Sequence, residues 1–211
     1  MINVLLVDDH AVVRTGFRLL LQSLAEVSVV AEADSGEAAC RLYAELEPDV
    51  VVMDIAMPGM GGLEALRRIR ARHPEARVLT LSAHDDPMHA RRSLQEGALG
   101  FLSKRSAPEA LVEAVTAVAA GRRYLDAALA QKLALAEFDG GAKSPVERLS
   151  EREFEVFLRL AAGATVQRIA QDLKLSASTV GTHLYNIKQK LEVDTQSELT
   201  LIAIRHGLIE A

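Results

Sequence analysis

Over the first 120 residues, short β-branched runs alternate strictly with stretches of helical periodicity, and nothing else in the chain constrains the fold as tightly. Segments 2–7, 27–31, 49–54, 77–82 and 100–103 read as strands, and five helices separate or follow them. Ser35 is placed as an N-cap, Asp86 with Pro87 as a cap and first-turn proline, and Ser106 with Glu109 as a capping box. Strict β-α alternation predicts an α/β, doubly wound, five-stranded parallel sheet with helices on both faces. The apolar run from Val50 to Met53 suits a central strand covered on both sides.

After residue 120 the pattern changes. One helical stretch, roughly 126–137, precedes a run of Gly140, Gly141, Ser144 and Pro145 that reads as a flexible tether. Four helical segments follow with no strand pattern, predicting an all-α domain built around a helix-turn-helix. Ser150 and Glu153 form a capping box, with Leu149 placed to staple onto Phe154. Helices at 165–173 and 176–191 come next, and a second box, Thr195 with Glu198, opens the last. The expected division is a first domain at 1–120, a helical linker and tether at 121–145, and a second domain at 146–211.

Composition narrows the class. The 211 residues carry 24 Lys+Arg and 29 Asp+Glu, a formal charge of −5, and 49% are hydrophobic, which excludes a disordered chain or a fibrous repeat. Apolar runs such as 50–53 fall far short of the roughly 20 residues that span a bilayer. The first residues contain no basic segment and meet Asp8 and Asp9 early, unlike a signal peptide, so a cytoplasmic protein without membrane partners is expected. Residues 1–120 hold 12 basic and 17 acidic side chains, whereas 146–211 hold 8 and 9, so net charge does not announce a nucleic-acid binder. Cys40, the single cysteine, excludes an intrachain disulfide and reads as a packed thiol.

Ligands of open α/β sheets bind beyond the carboxyl ends of the strands. Here strand one ends in Asp8 and Asp9, strand three in Asp54, strand four in Ser82, and strand five reaches Lys104. Any one of the three acids taken alone reads more readily as a solvated turn residue. Together, converging carboxylates call for a hard cation such as Mg²⁺, while Lys104 and Ser82 suit the oxygens of a phosphoryl group on Asp54. These segments resemble the two-component receiver domain: Val7 to His10, Met53 to Gly62, Leu81 to Ala83, and Gly100 to Lys104 match its motifs in order. The resemblance implies that a sensor histidine kinase phosphorylates Asp54. It further implies that Asp8, Asp9, Asp54 and the Ala56 carbonyl hold Mg²⁺, that Lys104 and Ser82 contact the phosphate, and that Phe101 reorients as Ser82 moves. Phe101 stands where the family often has tyrosine, and Arg105 where many members have proline.

In the second domain, Val180, Leu184, Ile187 and Leu191 fall on one helical stripe, leaving Ser178, Thr182, Tyr185 and Gln189 opposite. Gly181, Asn186 and Lys188 flank that polar face, which suits base edges and phosphates in a major groove, although a helix pair alone is more often plain packing. Leu149 to Val156, Ile169 with Ala170, Thr179 with Val180 and His183, and Lys190 with Leu191 are similar to the LuxR-type DNA-binding domain. Ser178 and Gly181 occupy places where that family commonly has lysines. The whole chain thus resembles a NarL/FixJ-family response regulator, which implies a transcription factor activated by phosphorylation. Its implied DNA contacts are Ser178, Thr179, Gly181, Thr182, His183, Tyr185, Asn186, Lys188 and Lys190. Double-stranded DNA, a second copy when phosphorylated, and RNA polymerase are the expected partners. Leu199, Ile202 and Ala203 share one face of the last helix, open to dimer contact or to internal packing. A constitutive binding module is the alternative. A metabolic enzyme is not expected, because carboxylates stand where a flavodoxin needs a phosphate loop, and adjacent acids replace the Asp-x-Asp of an aspartyl phosphatase.

Overall fold

The computed structural model describes residues 1–83, 87–138, 145–173, 175–206 and 208–209. They belong to two compact units, Met1–Asp139 and Gly140–Ala211. The Asp86 cap and the tether at 139–144 lie outside the described residues.

In the first unit, strands β1 (Ile2–Val7), β2 (Val27–Ala33), β3 (Val50–Asp54), β4 (Val78–Ser82), β5 (Gly100–Ser103) and β6 (Tyr124–Leu125) form one sheet in the order β2-β1-β3-β4-β5-β6. Every pair is parallel. Helices α1 (Ala11–Gln22), α2 (Gly36–Leu46), α3 (Gly62–Arg72), α4 (Pro87–Gln95), α5 (Pro108–Ala119) and α6 (Ala127–Phe138) complete it. Strand periodicity sorts the core into two layers. Leu5, Val7, Val51 and Met53 cluster on one face with Ala39 of α2, Leu66 of α3 and Ala90 of α4. Val4, Leu6, Val50 and Val52 cluster on the other with Leu21 of α1 and Leu111, Val115 and Val118 of α5. The doubly wound arrangement follows from those alternating faces.

Two local features differ from the sequence expectation. The sheet gains a sixth strand: Gly100 and Phe101 of β5 pair with Tyr124 and Leu125, and Leu129 of α6 is buried in the same cluster as Phe101. The capping box at Ser106 and Glu109 does not form; α5 starts at Pro108 with Ala107 as N-cap and no side-chain cap bond. Proline favours the first helical position, because its φ is preset and it lacks an N–H to satisfy, and that preference moved the cap one residue along. Ser35 does occupy the N-cap of α2, but its hydroxyl bonds Asp34 instead of the helix backbone.

The second unit holds a short 3-10 turn (Pro145–Arg148) and helices α7 (Glu151–Ala161), α8 (Val166–Asp172), α9 (Ala177–Leu191) and α10 (Gln196–Arg205). Both expected capping boxes form, Ser150 with Glu153 and Thr195 with Glu198. Thr165 and Ser176 cap α8 and α9 by accepting from Arg168 N and Thr179 N. Phe154, Phe157, Ile169, Val180, Ile187 and Leu191 are buried in this unit. On α10, Leu199 and Ala203 are fully buried, and Gln196 and Thr200 donate to the Leu160 and Ala161 carbonyls of α7's end at 2.8 and 3.0 Å. That face serves packing within the unit, which removes Leu199 and Ala203 as dimer contacts. No helix among the described residues is long and apolar enough to cross a membrane.

Candidate functional site

Parallel order β2-β1-β3 makes the carboxyl ends of β1 and β3 the point where chain connections diverge to opposite faces, opening a crevice there. Asp8, Asp9 and Asp54 stand at that crevice. Asp8 and Asp54 are 0% and 1% exposed, depths at which carboxylates survive only when paired. Lys104 supplies the pairing from the end of β5: its Nζ lies 2.6 Å from Asp8 Oδ2 and 2.8 Å from Asp54 Oδ2. The other Asp54 oxygen accepts from Ala56 N at 3.1 Å.

Close approach of the backbone shapes the pocket floor. A Cβ on Gly62 would lie 2.0 Å from the Asp54 carbonyl oxygen, so only glycine lets α3 begin directly beneath the end of β3. Gly59, at φ +70°, reverses the chain ahead of it. Both belong to the motif that follows Asp54 in the sequence.

Charge is unbalanced in this crevice. Burial pushes the Asp54 carboxyl above its ordinary range; Lys104 opposes that and Asp8 reinforces it. Burial would depress Lys104, but Asp54 and Asp8 hold its pKa raised, so it remains an ammonium. Asp8, Asp9 and Asp54 together with His10 place ligand atoms within 4.8 Å of one another. Three carboxylates against one ammonium leave excess negative charge on hard oxygen donors, a set that fits a divalent cation such as Mg²⁺. His10 entered the sequence motif without a role; its ring Nδ1 lies 2.9 Å from Asp9 Oδ1 and 3.3 Å from Asp8 Oδ1. Adjacency to the paired acids was the only available signal for it.

Ser82 is 1% exposed at the end of β4, and its carbonyl accepts from Lys104 N at 2.7 Å, tying the two strand ends together. Phe101 is fully buried and points into the cluster containing Leu125 and Leu129. Cys40 packs 3.9 Å from Met60 Sδ, and burial raises its thiol above the ordinary value, so a nucleophilic thiolate is disfavoured.

On α9, Ser178, Thr179, Thr182, Tyr185 and Gln189 are exposed, with Tyr185 65% accessible, while Gly181 and Asn186 are intermediate. The cations behave differently. Lys190 is bound to Glu153 of α7, and Lys188 donates to the Asp194 carbonyl at 2.6 Å. His183 is half-buried beside Glu153 and Arg152, and burial lowers its pKa. The exposed face of α9 is therefore one of hydroxyls, an amide and one aromatic ring, while Lys188 and Lys190 are engaged by Asp194 and Glu153 and His183 is half-buried.

A doubly wound sheet with an acidic crevice at its strand ends, followed by a helix-turn-helix unit, defines a two-domain regulator as the class. Family models agree: that for the response regulator receiver domain matches residues 4–116, and that for the luxR family of bacterial regulatory proteins matches residues 147–203. The chain belongs to the response regulators that join a receiver to a LuxR-type DNA-binding domain, a family of transcription regulators in two-component systems. Response regulator GacA of Pseudomonas viridiflava is 42% identical over 100% of this chain and 99% of its own length. Response regulator UvrY of Shigella flexneri is 41% identical over 100% and 97%. Among solved structures, RcsB of Salmonella enterica serovar Typhimurium bound to a promoter with the phosphomimetic BeF3− matches 95% of this chain and 97% of that one, with TM-score 0.65 and 26% identity. A LuxR-family two-component regulator from Aurantimonas sp. is 41% identical over 65% of this chain and 99% of that one, with TM-score 0.64.

Proposed function

We propose that Asp54 accepts a phosphoryl group from a sensor histidine kinase and that this event gates the binding of α9 to double-stranded DNA. The observation that carries the reading is the buried Asp54 carboxylate held 2.8 Å from Lys104 at the crevice of the sheet. An oxygen of Asp54 forms the new P–O bond as the P–N bond of a phosphohistidine breaks, and the electron pair of that bond returns to the imidazole. Lys104 offsets charge on the transferred group, and Ser82 is placed to donate to one of its oxygens. Mg²⁺ bound by Asp8, Asp9, Asp54 and the Ala56 carbonyl would supply the remaining charge neutralisation. As Ser82 turns inward, Phe101 fills the space vacated, biasing a two-state surface beside β5.

Ser178, Thr179, Thr182, Tyr185 and Asn186 are the base-edge and phosphate contacts of this reading, with Gly181 at closest approach. His183, Lys188 and Lys190 flank that face, the two lysines held by Asp194 and Glu153. Because one such face carries few free cations, specific binding requires two copies on adjacent half-sites, and RNA polymerase is the onward partner in the cytoplasm. Incubation with a small phosphodonor and Mg²⁺ should label wild-type protein at Asp54 and leave Asp54→Asn unlabelled. Labelling that persists in the variant, or that ignores a chelator, refutes the proposal.

A further inference from the structure

His10 adds nitrogen to a site whose other donors are all oxygen. Its backbone N–H donates to Asp8 Oδ1 at 2.8 Å, which fixes the residue at the mouth of the crevice as the N-cap of α1. The ring is 64% exposed, yet Nδ1 faces inward, 2.9 Å from Asp9 Oδ1 and 3.3 Å from Asp8 Oδ1. Two donors about 2.1 Å from one ion and at right angles to each other stand about 3.0 Å apart. Both separations are ion-pair distances, and neighbouring ligands on a common centre would stand equally far apart. Asp8 and Asp54 are buried, and among the described residues Lys104 is the one ammonium between them, so a dication is drawn to this point on charge alone.

Ion identity follows from donor chemistry. Mg²⁺ takes oxygen ligands and gains little from imidazole, whereas imidazole suits first-row transition ions, whose affinities rise from Mn²⁺ towards Cu²⁺ with Zn²⁺ close behind. We propose that His10 acts as a nitrogen ligand beside Asp8, Asp9 and Asp54, so that the acidic site takes divalent transition ions such as Zn²⁺ in competition with Mg²⁺. The inference rests on the acidic crevice being a cation site. His10 tunes which cation is held there, and the phosphoacceptor chemistry of Asp54 does not depend on it.

The test uses untagged full-length protein, wild type and His10→Ala, titrated separately with MgCl2 and ZnCl2 while residue-assigned NMR signals are followed. His10 is exposed and makes no core contact, so the variant retains the fold. In wild type, Zn²⁺ should shift the His10 ring resonance together with the Asp9 and Asp54 amides, whereas Mg²⁺ should shift the amides alone. His10→Ala should weaken Zn²⁺ binding at those amides by about tenfold or more, with Mg²⁺ binding changed by less than about twofold. Equal Zn²⁺ affinity in the two proteins, or a His10 ring that does not respond to Zn²⁺, overturns the proposal. Absence of any Mg²⁺ response at Asp9 and Asp54 in both proteins overturns the cation-site reading beneath it, a distinguishable result.

Discussion

Replacing Asp54 by asparagine should stabilise the cation-free protein. Asp8 and Asp54 share Lys104, so two buried carboxylates confront one ammonium. Asparagine removes the surplus charge, leaves the Asp8–Lys104 pair at 2.6 Å, and keeps an oxygen for Ala56 N. Replacing whole buried ion pairs or triads by neutral side chains of similar volume is often neutral or stabilising by about 1–4 kcal/mol, and here the surplus carboxylate goes while the remaining pair stays intact. The lower half applies because one favourable contact to Lys104 is also lost. About 1–2 kcal/mol in a unit of this size raises Tm by roughly 2–8 °C. Asp54's pKa is raised in the fold, so its relative contribution is favourable below the unfolded value and is lost as pH rises through the folded value. Above that raised folded value the wild type carries the whole penalty; the advantage of the Asp54→Asn variant should therefore be full there, shrink as pH falls through it, and vanish in strong acid. Thermal melts of both proteins in chelator across that pH range provide the measurement. Added Mg²⁺ should stabilise the wild type more and narrow the gap. A variant less stable at neutral pH, or an advantage that does not vary with pH, would refute the argument.

Gly181→Lys should tighten binding to all DNA sequences alike. A Cβ there meets nothing within 4 Å, and one new cation adds about 0.9 to the salt slope measured by binding titrations at several ionic strengths. Lys190→Met should reduce stability by about 1–2 kcal/mol, as seen by denaturant unfolding, because it strips a charged hydrogen bond from buried Glu153. Burial would raise the Glu153 carboxyl, but Lys190 and Ser150 hold it lowered, so its contribution should be present at neutral pH and fade as acid titrates it below the ordinary carboxylate range. Ser82→Ala should still be phosphorylated yet gain no DNA affinity, a result checked by comparing phosphodonor labelling with DNA binding; full activation would break the proposed link to Phe101.

Much of this architecture was legible because its signals are local. Short β-branched and apolar runs placed β1, β3 and β4, and side-chain oxygens three residues ahead of Glu153 and Glu198 marked two helix starts. Strand-end acids could be assembled because a parallel sheet brings its carboxyl ends together whatever the loops do. Tyr124 and Leu125 were opaque for the opposite reason: a two-residue strand has no period, and only the exposed flank of β5 makes it one. Lys188 and Lys190 looked like free cations because sequence spacing shows which face of a helix a residue occupies, not which carbonyl or carboxylate waits opposite. The outcome on α10 turned on tertiary packing as well, since Leu199 and Ala203 are apolar on one face whether that face meets α7 or another chain.

The sixth strand has a practical consequence for anyone dividing this chain. A fragment cut after residue 120, where β-α alternation stops, would strip β5 of its partner on the β6 side while leaving its pairing with β4, and would uncover the apolar surface that Leu125 and Leu129 now shield. Unpaired strand edges template association between copies. Such a truncation should be aggregation-prone in isolation, and any hybrid made by grafting this receiver onto a foreign effector should carry its junction beyond Phe138.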